Sequence, residues 1–110
     1  MVSKGYRDKI FIIKDILSLL AEYGQLNQTT LVSYSGLNLK KHKHILDDLE
    51  GHGFVSKSVL ESGKRTITIY KPTKKGIDFC SNIIEPYEEL FPRKTEGGSN
   101  QNNLGILILV

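Results

Sequence analysis

The chain has 110 residues, 39% of them apolar and 25% charged, which suits one small soluble domain with a short appendage. Its single cysteine, Cys80, excludes an intramolecular disulfide and a multi-cysteine zinc site, and fits a reducing cytoplasm. The net charge of +3 is unevenly spread: residues 1–39 sum to +1, residues 40–75 to +5 and residues 76–110 to −3, so the basic middle is either a site for an anionic partner or a solvated face.

At the N-terminus, "MVSKGYRDK" has no apolar run after its charges, and no signal peptide is expected. "YRDKIFIIKDILSLLAEYG" then sets Ile10, Ile13, Leu17 and Leu20 at helical spacing, widened by Ile16 and stopped by Gly24. A short extended piece is expected around Leu26. Asn27 caps a second helix over residues 28–34 that turns Leu31 and Val32 inward. Ser35 and Gly36 end it, Leu37 plugs the turn, and Asn38 caps a third helix over residues 38–52. Two short helices joined through a glycine-bearing turn make a helix-turn-helix pattern. On a 100° wheel, Leu39, His42, Leu46 and Leu49 share one side of the third helix, with Ile45 at its edge. Lys40, Lys41, His44, Asp47 and Asp48 point the other way, and Gly51 or Gly53 ends the helix.

The period then changes. Residues 54–60 and 66–71 are rich in β-branched and aromatic side chains, which predicts two strands joined by the hairpin tip "ESGKR". "TKKGIDFCSNIIEPYEELFP" is a fourth helix, over about residues 73–91, capped by Thr73 and kinked or ended by Pro86. Ile77, Cys80, Ile84 and Tyr87 form one apolar line along it, and Phe79, Ile83 and Leu90 form another. Two lines exceed one packing face, so Ile77, Cys80, Ile83, Ile84, Tyr87 and Leu90 are expected to supply a homodimer interface. The domain is therefore drawn over residues 1–92. Residues 93–110 follow as a flexible polar linker and a short apolar tail, "LGILILV". Seven residues fall short of the ~20 needed to span a bilayer, so the tail is disordered, packed on a neighbour, or the stub of a longer segment.

The order helix, short strand, helix, helix, strand, wing, strand, helix resembles that of small archaeal winged helix-turn-helix transcriptional regulators. The likeness is carried by "LVSYSGLNLKKHKHILDDLEGHGFV" and "ITIYKPTKKG", and spans about residues 8–92. It implies an α+β winged helix: a three-helix helix-turn-helix core, a two-stranded wing and an additional C-terminal helix. It also implies a double-stranded DNA partner, with helix 38–52 in the major groove and the 61–65 wing on the backbone. Asn38, Lys40, Lys41 and His44 then become groove candidates, and Lys43 a phosphate contact from the flank. Thr29 and Ser35 become phosphate caps, and Lys64 and Arg65 wing-tip contacts. No Arg or Gln occupies the outward face of the third helix, so the commonest bidentate reader of guanine is missing and the likeness does not extend to strong sequence specificity.

The charge order of that helix agrees with a DNA partner. Lys40, Lys41 and Lys43 crowd its first turns, and Asp47, Asp48 and Glu50 its last. The helix macrodipole prefers the reverse by ~0.3–1 kcal/mol per charge, and the Lys43–Asp47 pair runs in the weaker orientation. The cations lie where phosphates would be. A winged helix serving only as a protein–protein interaction module would show exposed apolar residues there instead. A single-strand or RNA binder would need aromatic stacking platforms on the basic face. His42 and His44 face different sides of a helix, His52 is a turn or more away, and no HExxH signature occurs, so no metal or cofactor is expected. No nucleophile–base pairing, phosphate-binding glycine loop or convergent carboxylate pair is visible, which reads as a non-enzyme.

Overall fold

A computed structural model describes residues 7–93; residues 1–6, the linker beyond Arg93 and the 104–110 apolar tail lie outside the described residues. The elements run α1 (Lys9–Tyr23), β1 (Leu26–Asn27), α2 (Gln28–Tyr34), α3 (Leu39–Gly51), β2 (Val55–Ser62) and β3 (Arg65–Pro72). A last helical segment follows, made of α4 (Lys74–Phe79), a π-helical turn over Cys80–Ile84, and α5 (Glu85–Leu90). The three strands form one antiparallel sheet in the order β1-β3-β2. This is the α+β order that the sequence predicts.

Capping chemistry sets the helix boundaries. The side chains of Asn27, Asn38 and Thr73 accept the backbone N–H groups of Thr30, Lys41 and Gly76, closing the starts of α2, α3 and α4. The far ends of α2 and α3 close alike. After α2, Leu37 N–H bonds Val32 C=O and Gly36 N–H bonds Ser33 C=O. After α3, Phe54 bonds Leu49 and Gly53 bonds Glu50. These are Schellman closures, and each needs a left-handed residue, here Gly36 (φ 68°) and Gly53 (φ 81°).

The core gathers Ile16, Leu17 and Leu20 of α1, Leu31 of α2, Ile45, Leu46 and Leu49 of α3, Val55, Tyr70, Cys80 and Ile84. Two faces differ from the wheel. In α1 the buried set includes Phe11 and Ile12, while Ile10 and Ile13 sit partly buried at its flank. The run "IFII" offers two faces, and the last helix selects one, with Phe11 6.3 Å from Tyr87 between ring centroids. In α3, Leu39 is left exposed and Ile45 takes the core position, because the core contacts lie in the second half of the helix. Tyr70 is fully buried, and its hydroxyl lies 3.3 Å from the Gln28 amide nitrogen, a partner that buried phenols require. At Gly76 an added Cβ would lie 2.0 Å from the Phe54 carbonyl oxygen, so only glycine lets α4 approach the start of the wing this closely.

The last helix does not end at Pro86. Proline lacks an N–H, and its ring crowds the carbonyl four residues earlier. The preceding turn widens instead: Glu85 N–H bonds Cys80 C=O, five residues back, and helix continues to Leu90. The extra residue shifts the phase of the faces. Cys80 and Ile84 turn into the domain core, while Ile77, Ile83, Tyr87 and Leu90 stay exposed. Among the described residues no helix is long and apolar enough to cross a membrane.

Candidate nucleic-acid interface

The Gly36 closure and the Asn38 cap fix α3 at its start, and the Gly53 closure fixes it at its end. The cap is reciprocal. Asn38 Oδ1 accepts Lys41 N–H at 3.2 Å, and His42 Nδ1 lies 3.0 Å from Asn38 N–H. Two donors that a helix start leaves orphaned are thereby satisfied. His42 is thus a packing and capping residue. The Asn38 side-chain oxygen is committed to the helix, which leaves only its amide group for any ligand.

Lys40, Lys41 and His44 are exposed on the outward face of α3, and among the described residues none of them has an ion-pair partner. Two of the three acids at the other end are matched, and Glu50 has no ion-pair partner among the described residues. Asp47 pairs with Lys43 at 3.1 Å, and Asp48 pairs with Lys9 of α1 at 3.2 Å. His52 Nδ1 lies 2.9 Å from Asp48 C=O, on the last turn. The helix therefore presents uncompensated positive charge at its N-terminal half and, at its C-terminal half, acids that are paired at Asp47 and Asp48 and open at Glu50. Exposed ion pairs of this kind are worth little in stability, ~0–1 kcal/mol each; their effect here is on the field.

The β2–β3 hairpin ends at the Ser62–Arg65 pair, which leaves Gly63 and Lys64 as the two tip residues. Lys64 and Arg65 are exposed. Pairing of β1 with β3 places the first turn of α2 beside the outer half of β3. A polar cleft of about 320 Å³ opens between them, lined by Gln28, Thr29, Thr30, Arg65, Thr66 and Thr68, with Asn27 and Ile67. Thr29 and Arg65, far apart in sequence, thus meet in one place. Gln28, Thr30, Thr66 and Thr68 were not among the sequence candidates. The alternation "RTIT" sets Thr66 and Thr68 on one strand face, but the partner of that face is fixed by strand pairing, which a linear reading does not reach.

Ser35 requires a correction. Its side chain is buried, and the hydroxyl donates to Leu31 C=O, four residues back, within the C-terminal turn of α2. A hydroxyl at the end of a helix folds onto the free carbonyls there, so Ser35 is structural and turned away from any phosphate. Cys80 and Ile84 leave the expected interface for a similar reason. Cys80 is in the core with its sulfur 3.9 Å from the Ser18 hydroxyl, and Ile84 has no exposed surface. Burial raises the Cys80 pKa, which keeps the thiol protonated and unreactive.

A charge network joins the two ends of the described chain. Asp15 of α1 binds both Arg7 and Arg93, Arg93 also binds Glu88 at 3.0 Å, and Glu88 binds Lys14. Arg7 further donates to Ser35 C=O at 2.7 Å and Gly36 C=O at 3.3 Å, holding the turn between α2 and α3. The Arg93 guanidinium lies 4.8 Å from the Phe11 ring centroid. Arg93, expected at the start of a linker, is therefore part of the domain. Burial works to raise the Glu88 pKa, but its bonds to Lys14 and Arg93 outweigh this and hold it below the ordinary carboxylate value. No cluster of three or more His, Cys, Asp or Glu side chains placed to hold a metal occurs among the described residues.

Comparison with known proteins adds one result. A family model described as winged helix-turn-helix matches residues 6–90. No curated protein matches the chain.

Proposed function

Because the chain belongs to the winged helix-turn-helix family, we propose that it is a DNA-binding transcriptional regulator that places α3 in the major groove of duplex DNA and its wing on the adjacent backbone. The observation that carries this reading is the charge distribution on α3: Lys40 and Lys41 are exposed without an ion-pair partner among the described residues, while Asp47 and Asp48 each have a cation. A helix stabilised only for its own sake would hold the opposite order. Thr29 and Arg65, on the two walls of the polar cleft, suit a phosphate between α2 and the wing, with Lys64 at the tip reaching further along the backbone. The outward face of α3 carries lysines and a histidine rather than Arg or Gln, so phosphate contacts dominate affinity and base selectivity is modest. A purely protein-binding role is less well supported, since cations rather than apolar groups stand on this face.

The active unit is a homodimer formed through the last helix. Ile83, Tyr87 and Leu90 are exposed there, joined by Phe91, which lies 5.0 Å from Tyr87 between ring centroids. An apolar stripe of this kind normally marks an interface.

A gel-shift titration over salt concentration tests the DNA reading. With about four to six cations near phosphates, the slope of log K against log salt is expected to be about −4 to −5 per protomer, from ~0.9 per neutralised phosphate. No retardation of duplex DNA at low salt, or a slope near zero, rejects it.

A further inference from the structure

The strand order leaves β2 at an edge of the sheet among the described residues. It runs without a bulge, each residue from Val55 to Ser62 facing one partner on β3. Every residue after Val55 is exposed, including Val59 at 53% and Leu60 at 52% on opposite faces of the strand. A long, regular edge offers its outward N–H and C=O groups to another strand.

The sequence of β2 itself selects the partner. When a strand pairs antiparallel with its own copy, facing residues share parity, so the two-fold axis passes through a residue. An axis at Val59 sets Lys57 of each copy opposite Glu61 of the other, with Val59 against Val59 between the two charge pairs. An axis at Ser58 would set Glu61 opposite Val55, and an axis at Leu60 would set Glu61 opposite Val59. Among these central registers, only the one on Val59 matches both charges around an apolar centre. Within one chain these charges are unused. Lys57 faces Tyr70 and Glu61 faces Thr66 across the hairpin, and neither makes an ion pair among the described residues.

We propose that β2 is a homotypic docking edge, filled by β2 of a second copy in the antiparallel register centred on Val59, so that two sheets become one. This edge lies on the far side of β3 from β1 and α2, and pairing there leaves the cleft at Thr29 and Arg65 open. It is also separate from the helical face at Ile83 and Leu90. Two different two-fold contacts on one chain propagate, so copies would assemble into a row rather than close as a pair. The inference stands independently of the DNA reading.

Charge exchange tests it on the full chain by sedimentation. Lys57→Glu alone sets four acids around the axis, and Glu61→Lys alone sets four bases. An equimolar mixture of the two variants restores both opposite-charge contacts in the mixed pair. Each variant alone is expected to shift the edge-dependent association step to at least about tenfold higher concentration, and the mixture to recover the wild-type step. Variants that sediment like the wild type, or a mixture that sediments as the sum of its parts, overturn the proposal. A second measurement uses Val59→Cys with diamide as oxidant. This residue faces its own copy on the axis and should form a disulfide-linked pair much faster than Ser56→Cys, whose opposite position is Ser62. Equal rates overturn the register.

Discussion

Lys40 and Lys41 are the residues at which a functional role separates from a structural one. Both point away from the core at the start of α3, where the macrodipole favours anions. Replacing both with Glu should leave stability unchanged or raise it, by ~1–2 kcal/mol at most and less at high salt. Affinity for duplex DNA should fall at least tenfold, more than 1.4 kcal/mol. A thermal melt and a gel shift on the same double variant decide the matter. A lower melting point with unchanged affinity would make these lysines structural. Single residues also mark how far the sequence could be read. Thr29 and Ser35 look alike there, as hydroxyls at the two ends of one short helix. The start of a helix leaves N–H groups free and the end leaves carbonyls free. Ser35 therefore bends back to Leu31, while Thr29 stays exposed. The hydroxyl type was legible; its direction depended on which end of α2 it occupied.

Among the elements, those with strong local signals matched the sequence closely: α2 over Gln28–Tyr34, the Asn27, Asn38 and Thr73 caps, and the hairpin around Gly63. Caps and turns are chemistry within a few residues, so they survive without tertiary information. The last helix was harder. A wheel assumes a constant period, and the π turn at Cys80–Ile84 breaks that assumption just before Pro86. The ion pairs that tie this helix to α1 were also invisible, because they join residues more than seventy positions apart. They make a prediction on pH. The folded-state pKa of Glu88 is lowered, so its contribution is present above the unfolded carboxylate value of about 4.3 and is lost as pH falls through the folded value. Glu88→Gln should therefore be less stable than the wild type near neutrality, by no more than ~1 kcal/mol given its partial exposure. The gap should close toward pH 3. Melts of both proteins across that range check it, and a gap that widens with acid contradicts the assignment.

At the scale of the whole molecule, the exposed stripe on the last helix separates two neighbouring isoleucines. Ile83 is 53% exposed and Ile84 fully buried. Ile83→Glu should abolish the helical association step at tens of micromolar, leave any association through β2 untouched and melt normally, whereas Ile84→Glu should fail to fold, costing several kcal/mol for a charge in the core. Sedimentation of the helical contact, followed with a melt of each variant, distinguishes them; a wild type that shows no helical dimer removes the interface. The matched acids of α3 have a further, kinetic consequence. With Asp47 and Asp48 paired to Lys43 and Lys9, and Glu50 left open, the helix is positive at its N-terminal end only. In the field of a polyanion such a rod feels a torque as well as an attraction. On the proposed DNA reading, its N-terminal end would turn toward the duplex before any contact forms. That orientation would remove unproductive encounters, so the ion pairs at the rear of α3 would act on the association rate, while the duration of the complex would be left to the groups that touch DNA.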